Sequence, residues 1–209
     1  MPLQNRVDPW GKLIATSARG VLLGNRGILH NNNQEIVKPW AHKAWINCTL
    51  SYAGVQRQVF SPNSYSELFF LDEATALSAG HRPCAKCRRE RFHEFKLAWC
   101  TANRGDAEAK LTVQELDKQL HEERAIRGGS KLTHLMPFAE LPDGVFFEWQ
   151  GEALLCWQGV LKKWSPTGYS TATSVPAPAD LVKVLTPISI VKMYSYLFRP
   201  QVHESAETN

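Results

Sequence analysis

The chain has no apolar run approaching the about eighteen residues that a membrane span needs. Its opening, "MPLQNRVDPWGKL", has no apolar stretch of the kind that marks a secretory leader, so none is expected. Cysteine is sparse: five in 209 residues, an odd number, argues against a disulfide scaffold and for a reducing, cytoplasmic setting. Several catalytic signatures are missing. There is no Ser-His-Asp order, no Gly-x-x-x-x-Gly-Lys phosphate loop, no dinucleotide glycine fingerprint and no His-Glu-x-x-His. These absences exclude the common nucleotide-driven and metalloprotease classes. No internal repeat of fixed period and no low-complexity tract is present.

What is present reads as globular. Hydrophobic content of 44% and charged content of 21% are ordinary, and the length suffices for one large domain or two small ones with a real core. The net charge of +4 hides a contrast. Residues 80–96 hold six basic side chains (Arg82, Lys86, Arg88, Arg89, Arg91 and Lys96) against Glu90 and Glu94, whereas acids dominate 106–123. Such a patch suits phosphate binding and suits a solvated helix face equally well.

The expected architecture is α+β: a β-rich N-terminal part with a Cys-x-x-Cys knuckle leading into a helix, central helices, and a β-rich C-terminal part. In "KLIATSARGVLLGNRG", Gly20, Gly24 and Gly27 read as turns between strands. "WINCTLSY" and "VQRQVF" alternate, with Ala53-Gly54 as a hairpin between them. Ser64 and Glu67 fit a capping box; Asp72 equally fits a cap for "EATALSA", stopped by Gly80. Pro83 suits a helix N-terminus, and Phe92, Phe95 and Trp99 continue that helix at helical spacing. Thr112 and Glu115 open another, ended by Gly128-Gly129, the best linker candidate. From Leu141 the pattern returns to strands ("GVFFEW", "EALLCW", "GVLKKW", "LVKVLTP"), then a short helix over "SIVKMYSYLF" and a disordered "ESAETN" tail. Three regions are expected: 1–105 with the metal module and basic helix, 106–130 as helical connector, and 131–209 as the β-rich remainder with its short terminal helix.

Cys84 and Cys87 carry the chemistry. Zn²⁺ takes four ligands in a tetrahedron, and Cys-x-x-Cys supplies two of them. Cys48, on "WINCTL", is the leading third ligand. Cys100, thirteen residues past Cys87 on one helix, lies about 20 Å away and reads as a buried thiol. Cys156, in an apolar strand, reads the same way. For the fourth ligand the sequence offers His30, His42 and His81.

"FLDEATALSAGHRPCAKCRRE" resembles the closing half of the Ada-type zinc module, found in bacterial methyl-phosphotriester repair proteins and fused to some nucleases. Ala79, Gly80, Arg82, Pro83, Cys84 and Cys87 fall on that half's Ala-Gly-aromatic-Arg-Pro-Cys-x-x-Cys pattern, with His81 in the aromatic place. "LLGNRGILHNN" is similar to the Gly-Asn…His opening of the nuclease-fused versions, so the likeness extends over residues 24–92. The module's first cysteine pair is not at its usual spacing; Cys48 stands alone, with His30 as stand-in for the missing ligand. The resemblance implies bound zinc, DNA as partner and a repair role, with Cys48 as a thiolate that accepts a methyl group. The whole chain is also similar to a group of bacterial proteins carrying "GNRG", "LH" and "GHRPC" blocks, which implies no activity.

The expected function is therefore a zinc-containing nucleic-acid-binding protein, a DNA repair or modification enzyme hydrolysing a phosphodiester or glycosidic bond. Cys48, Cys84, Cys87 and His30 are the metal candidates. Asn25, Arg26, Arg82, Lys86, Arg88, Arg89 and Arg91 are candidates for phosphate contact. His30, with Glu67 or Asp72 as carboxylate partner, is the candidate general base. Each has a plainer reading: a polar hairpin tip for "GNRGILHNNN", helix capping for Glu67 and Asp72. Lys162, Lys163, Trp164 and Tyr169 suit base stacking or, more simply, a strand core. Two other classes stand beside this one: a thiol–disulfide protein using Cys84 and Cys87, and a nucleic-acid-binding module without catalysis.

Overall fold

The computed structural model describes residues 1–54, 58–127, 130–196 and 198–207 and shows two six-stranded sheets and four α-helices, a mixed α+β protein. The first sheet holds β1 (Gln4–Val7), β2 (Leu13–Ala15), β3 (Leu22–Asn25), β4 (Ile46–Thr49), β5 (Leu68–Phe70) and β6 (Arg82–Pro83) in the order β2-β1-β5-β3-β4-β6. Its β1–β5 and β4–β6 pairs are parallel. The second holds β7 (His134–Pro137), β8 (Phe146–Trp149), β9 (Glu152–Trp157), β10 (Val160–Ser165), β11 (Gly168–Thr171) and β12 (Leu181–Val184) in the order β11-β10-β9-β8-β12-β7. That sheet is antiparallel throughout. The helices are α1 (Glu73–Ser78), α2 (Arg89–Arg104), α3 (Val113–Arg124) and α4 (Ile188–Tyr194).

Local chemistry explains the hairpins of the second sheet. Gln150 and Gly151 (φ 51° and 81°) join β8 to β9, and Gln158 and Gly159 (φ 50° and 76°) join β9 to β10. Two successive left-handed residues give the tight loop whose twist matches antiparallel strands. On β9, Leu154 and Cys156 enter one cluster with Phe95, Trp99, Leu116 and Ile190, while Ala153, Leu155 and Trp157 enter another with Phe146, Tyr169 and Leu185. Both faces of β9 are therefore buried.

α1 joins the two sheets. All six of its residues are buried. Leu77 faces the helical cluster, Ala74 the cluster under β9, and Ala76 the Val7–Leu22–Phe70 cluster of the first sheet. Three hydrophobic environments converge on a two-turn helix, which is why its residues after Glu73 are small or apolar. Asp72 caps it, accepting from the Thr75 N–H at 2.8 Å. Gly80 (φ 84°) closes it: its N–H donates to Leu77 O, and the His81 N–H to Ala76 O, a doubly bonded glycine stop. The core clusters draw residues from each side of positions 105 and 130.

Several expectations are corrected. Gly24 lies inside β3 rather than in a turn: a Cβ there would stand 2.4 Å from the Phe70 ring, so the glycine lets that ring lie against the strand. Ser64 and Glu67 cap no helix, because "LFF" continues as strand β5. Pro83 belongs to β6, and helix α2 starts only at Arg89; pairing with β4 holds Pro83 extended. β7 precedes the expected return to strands by several residues. The "ESAETN" segment is ordered over Glu204–Ala206 as a 3₁₀ turn, with Ala206 buried and the Ser205 hydroxyl accepting from Tyr169 N. Half of the expected strand "VQRQVF", residues 55–57, lies outside the described residues, as does Gly128-Gly129; the other half, 58–60, is not strand and ends in a turn with Phe60 at φ 58°.

Candidate metal centre

Strand pairing assembles the cysteines. β4 runs parallel to β6 with Ile46 opposite Arg82 and Asn47 opposite Pro83, and the Cys84 N–H extends the ladder by donating to Asn47 O at 2.9 Å. Cys48, next along β4, thereby meets Cys84. The chain then turns through Ala85–Arg88, with the Arg88 N–H donating to Cys84 O at 3.1 Å and the Lys86 N–H pointing at Cys84 Sγ at 3.4 Å. This returns Cys87 to the same place. The three Sγ atoms lie within 4.8 Å of one another, all half-buried, and form the candidate metal-holding group of three or more among the described residues.

Without an ion the three thiols share protons. Hydrogen bonding between Cys48 and Cys84 pulls the Cys84 thiol down to about 5 and raises Cys48 above its ordinary range. The Lys86 and Cys87 N–H groups assist on the Cys84 side. A cation would relieve the crowding by replacing those protons.

The basic segment around the cysteines turns largely inward. Arg82 grips Asp117 of α3 bidentately (2.7 and 2.9 Å) with its face over Phe92. Arg88 donates to Asn47 Oδ1 and to Gln201 Oε1, and lies 3.0 Å from Glu73. Arg91 reaches the same carboxylate at 2.6 Å and stacks on Phe198. These three cations fix β6, the turn and α2 to the body of the protein; Lys86 and Arg89 remain exposed. Asn47, wholly buried, donates to His81 O at 2.8 Å and so locks β4 from both sides. Nothing in the sequence separates it from any other strand asparagine.

The remaining candidates are dispersed. Asn25 Oδ1 accepts from Gly27 N, tightening the turn after β3. Arg26 is buried and donates from Nε to His81 Nε2 at 2.9 Å, so His81 serves the interior and not the cysteines. Burial, with the Arg26 and Arg124 charges, holds His81 well below its ordinary value and therefore neutral. His30 is outside the cysteine group: its Nδ1 meets Ser66 Oγ at 2.6 Å and its ring stacks on Phe60 at 4.6 Å. Glu67, also buried, accepts from Phe60 N at 2.9 Å, so His30 and Glu67 flank one phenylalanine. Asp72 accepts from Thr75, from the Tyr169 hydroxyl (2.7 Å) and from His203 N (2.9 Å). Those bonds are structural, and burial raises its carboxyl above the usual range. Lys162 and Tyr169 point inward.

Comparison of the chain with protein-family models, with curated proteins and with solved structures finds no match in any of the three. Among the described residues no helix is long and apolar enough to cross a membrane.

Proposed function

We propose that the protein is a zinc protein in which Cys48, Cys84 and Cys87 hold the ion beside a surface that contacts nucleic acid. The convergence of three thiols from two distant segments within 4.8 Å carries this reading. A Zn–S bond of about 2.3 Å places tetrahedral sulfurs about 3.8 Å apart, so the cluster needs to contract by about 1 Å or less. The Cys84–Cys87 turn, with its N–H directed at Cys84 Sγ, has the form of a metal knuckle. No histidine, carboxylate or further cysteine joins the three among the described residues. That leaves the fourth position to water or substrate, the pattern of zinc sites that supply a Lewis acid for hydrolysis.

Support for nucleic acid is narrower than the sequence suggests, because Arg82, Arg88 and Arg91 are internal. It rests on exposed Lys86 and Arg89 with exposed Leu50 and Tyr52, where the Lys86 ammonium lies 5.7 Å from the Tyr52 ring. A cation beside an exposed aromatic is the pairing that holds phosphate and stacks a base of a single strand.

Metal analysis of protein purified without added zinc tests the centre. About one equivalent is expected, lost in Cys84→Ser and kept in Cys100→Ser, because the ligand set defines the site. Less than about half an equivalent under reducing conditions refutes it, and rapid Cys84–Cys87 disulfide formation in its place would favour the redox reading. Single-stranded DNA binding should weaken with salt and in Lys86→Ala/Arg89→Ala; a flat salt profile rejects the second half.

A further inference from the structure

A cleft of about 980 Å³ opens where the turn between β1 and β2, the segment around Ile36–Trp40, the end of α3 and β12 come together. Its lining holds six lysines or arginines against two carboxylates, Asp8 and Glu148. Both acids are already engaged. Asp8 Oδ1 accepts from Lys12 N at 2.9 Å, and Glu148 takes the Trp10 indole N–H at 2.6 Å and the Lys183 ammonium at 2.7 Å.

The inner wall is electrostatically unfinished. Arg26 and Arg124, both buried, lie over the same indole, that of Trp45, at 4.2 and 4.4 Å. Neither forms a salt bridge among the described residues. Each keeps one buried N–H with no acceptor, Nη2 on Arg26 and Nε on Arg124. Burial drives both guanidinium groups down to about 9, and Arg26 itself lowers Arg124. Both stay cationic at neutral pH. A buried charge ordinarily meets an opposite one. Here the protein supplies neutral partners only: the indole face, the neutral His81 ring and the Gly11 and Pro39 carbonyls for Arg26, and the Gly80 and Lys43 carbonyls for Arg124. Contrast Arg82, Arg88 and Arg91, each of which has its carboxylate.

We propose that this cleft binds a nucleoside phosphate: the phosphate in the field of Arg26 and Arg124 with Lys12 and Lys38 at the rim, the planar base against the part-exposed indoles of Trp10 and Trp40. A simple inorganic anion would leave most of the volume and the indoles of Trp10 and Trp40 unused. A neutral aromatic would leave the cations uncompensated. The concave form, with apolar walls and a few convergent polar groups, is that of a small-molecule site. The same chemistry arises in a free mononucleotide or in the 5′-terminal nucleotide of a strand. Trp45 immediately precedes β4, the strand of Cys48, so cleft and cysteine cluster share one element. The inference rests on the cleft alone, not on the metal.

Titration of the full-length protein with adenosine 5′-monophosphate, adenosine, inorganic phosphate and a 5′-phosphorylated oligonucleotide tests it, read by tryptophan fluorescence and calorimetry. The monophosphate should bind at least about tenfold tighter than adenosine or phosphate alone, since both halves of the ligand contribute. Lys12→Ala/Lys38→Ala, both exposed positions, should weaken it by about fivefold or more and flatten its salt dependence. An oligonucleotide that competes and binds tighter assigns the strand terminus as ligand; one that binds more weakly assigns the free nucleotide. Binding no tighter than that of adenosine, no binding up to about 5 mM, or an unaffected double variant with native circular dichroism overturns the proposal. The titration is repeated after chelation. Persistent nucleotide binding supports the cleft whatever the fate of the zinc reading, and loss of binding with the fold intact overturns it.

Discussion

Replacing Glu73 by glutamine removes the negative charge of a buried carboxylate that two arginines share. Glu73 is buried, at the first position of α1, and takes Arg88 at 3.0 Å and Arg91 at 2.6 Å, with the Gln201 N–H at 3.0 Å as a further donor. Breaking a buried pair costs about 3–5 kcal/mol, because the partner charge stays in place uncompensated. Two features put Glu73→Gln near the lower end. Arg88 retains Asn47 and Gln201 Oε1, and Arg91, part exposed, retains Glu94 at 2.7 Å. At a urea dependence of about 2–3 kcal/mol per M, a loss of about 3 kcal/mol moves the unfolding midpoint down by about 1–1.5 M. A consequence reaches the cysteines: Arg88 directly follows Cys87 and is the N-cap residue of α2, so its release should also lower affinity for the proposed zinc although Glu73 touches no sulfur. Urea titration with and without zinc, followed by tryptophan fluorescence, measures both effects. A midpoint within about 0.3 M of wild type at unchanged slope would refute the assignment of Glu73 as the clamp of this region.

Further expectations concern the same interior. His81 is buried and neutral with its folded-state pKa below 6.5. The unfolded chain therefore binds the extra proton first, and stability falls on acidification below about pH 6.5 by up to about 1.4 kcal/mol per pH unit; His81→Gln should flatten that slope in stability measured from pH 7 to 5. Gly80→Ala should destabilise well beyond Gly105→Ala although both have positive φ (84° and 72°), because a Cβ at Gly80 would lie 2.3 Å from Arg124 Cδ and one at Gly105 meets nothing within 4 Å. The strain of φ alone costs about 1–2 kcal/mol, so equal losses in thermal unfolding would show that Arg124 yields freely. Asp72→Ala removes a cap and strands the Tyr169 hydroxyl and His203 N–H, an expected loss of about 3–5 kcal/mol. A loss under about 1 kcal/mol would mean these donors find other acceptors.

Signals confined to a few residues were legible. The Thr112/Glu115 capping box is present in full, as are the Asp72 cap with its Gly80 stop and the Phe92–Phe95–Trp99 stripe of α2. The burial of Cys100 and Cys156 followed from the apolar residues around them. Errors arose where a distant partner overrode local preference. Pro83 suits a helix start, yet pairing with β4 holds it in a strand, and a turn over 85–88 delays α2 to Arg89. Gly24 suits a turn, yet Phe70, from a strand far along the chain, needs the space its missing side chain leaves.

The sequence by itself determined the caps of α1 and α3 and the two-residue hairpins of the second sheet, because their energetics close within one turn of chain. Cys84 and Cys87 were likewise bound to be neighbours, being two residues removed from adjacency on one backbone turn. That Cys48 joins them was decided by the parallel β4–β6 pairing, which spans more than thirty residues of intervening chain. Tertiary structure also decided the fate of the basic segment. From sequence, six cations within residues 80–96 suit a phosphate surface or a solvated helix face; in the fold Arg82 meets Asp117 of α3, and Arg88 and Arg91 meet Glu73. Whether a guanidinium faces solvent or a carboxylate depends on where long-range packing brings that carboxylate. A charge pattern records the sign of each side chain but not the partner that the folded chain delivers to it.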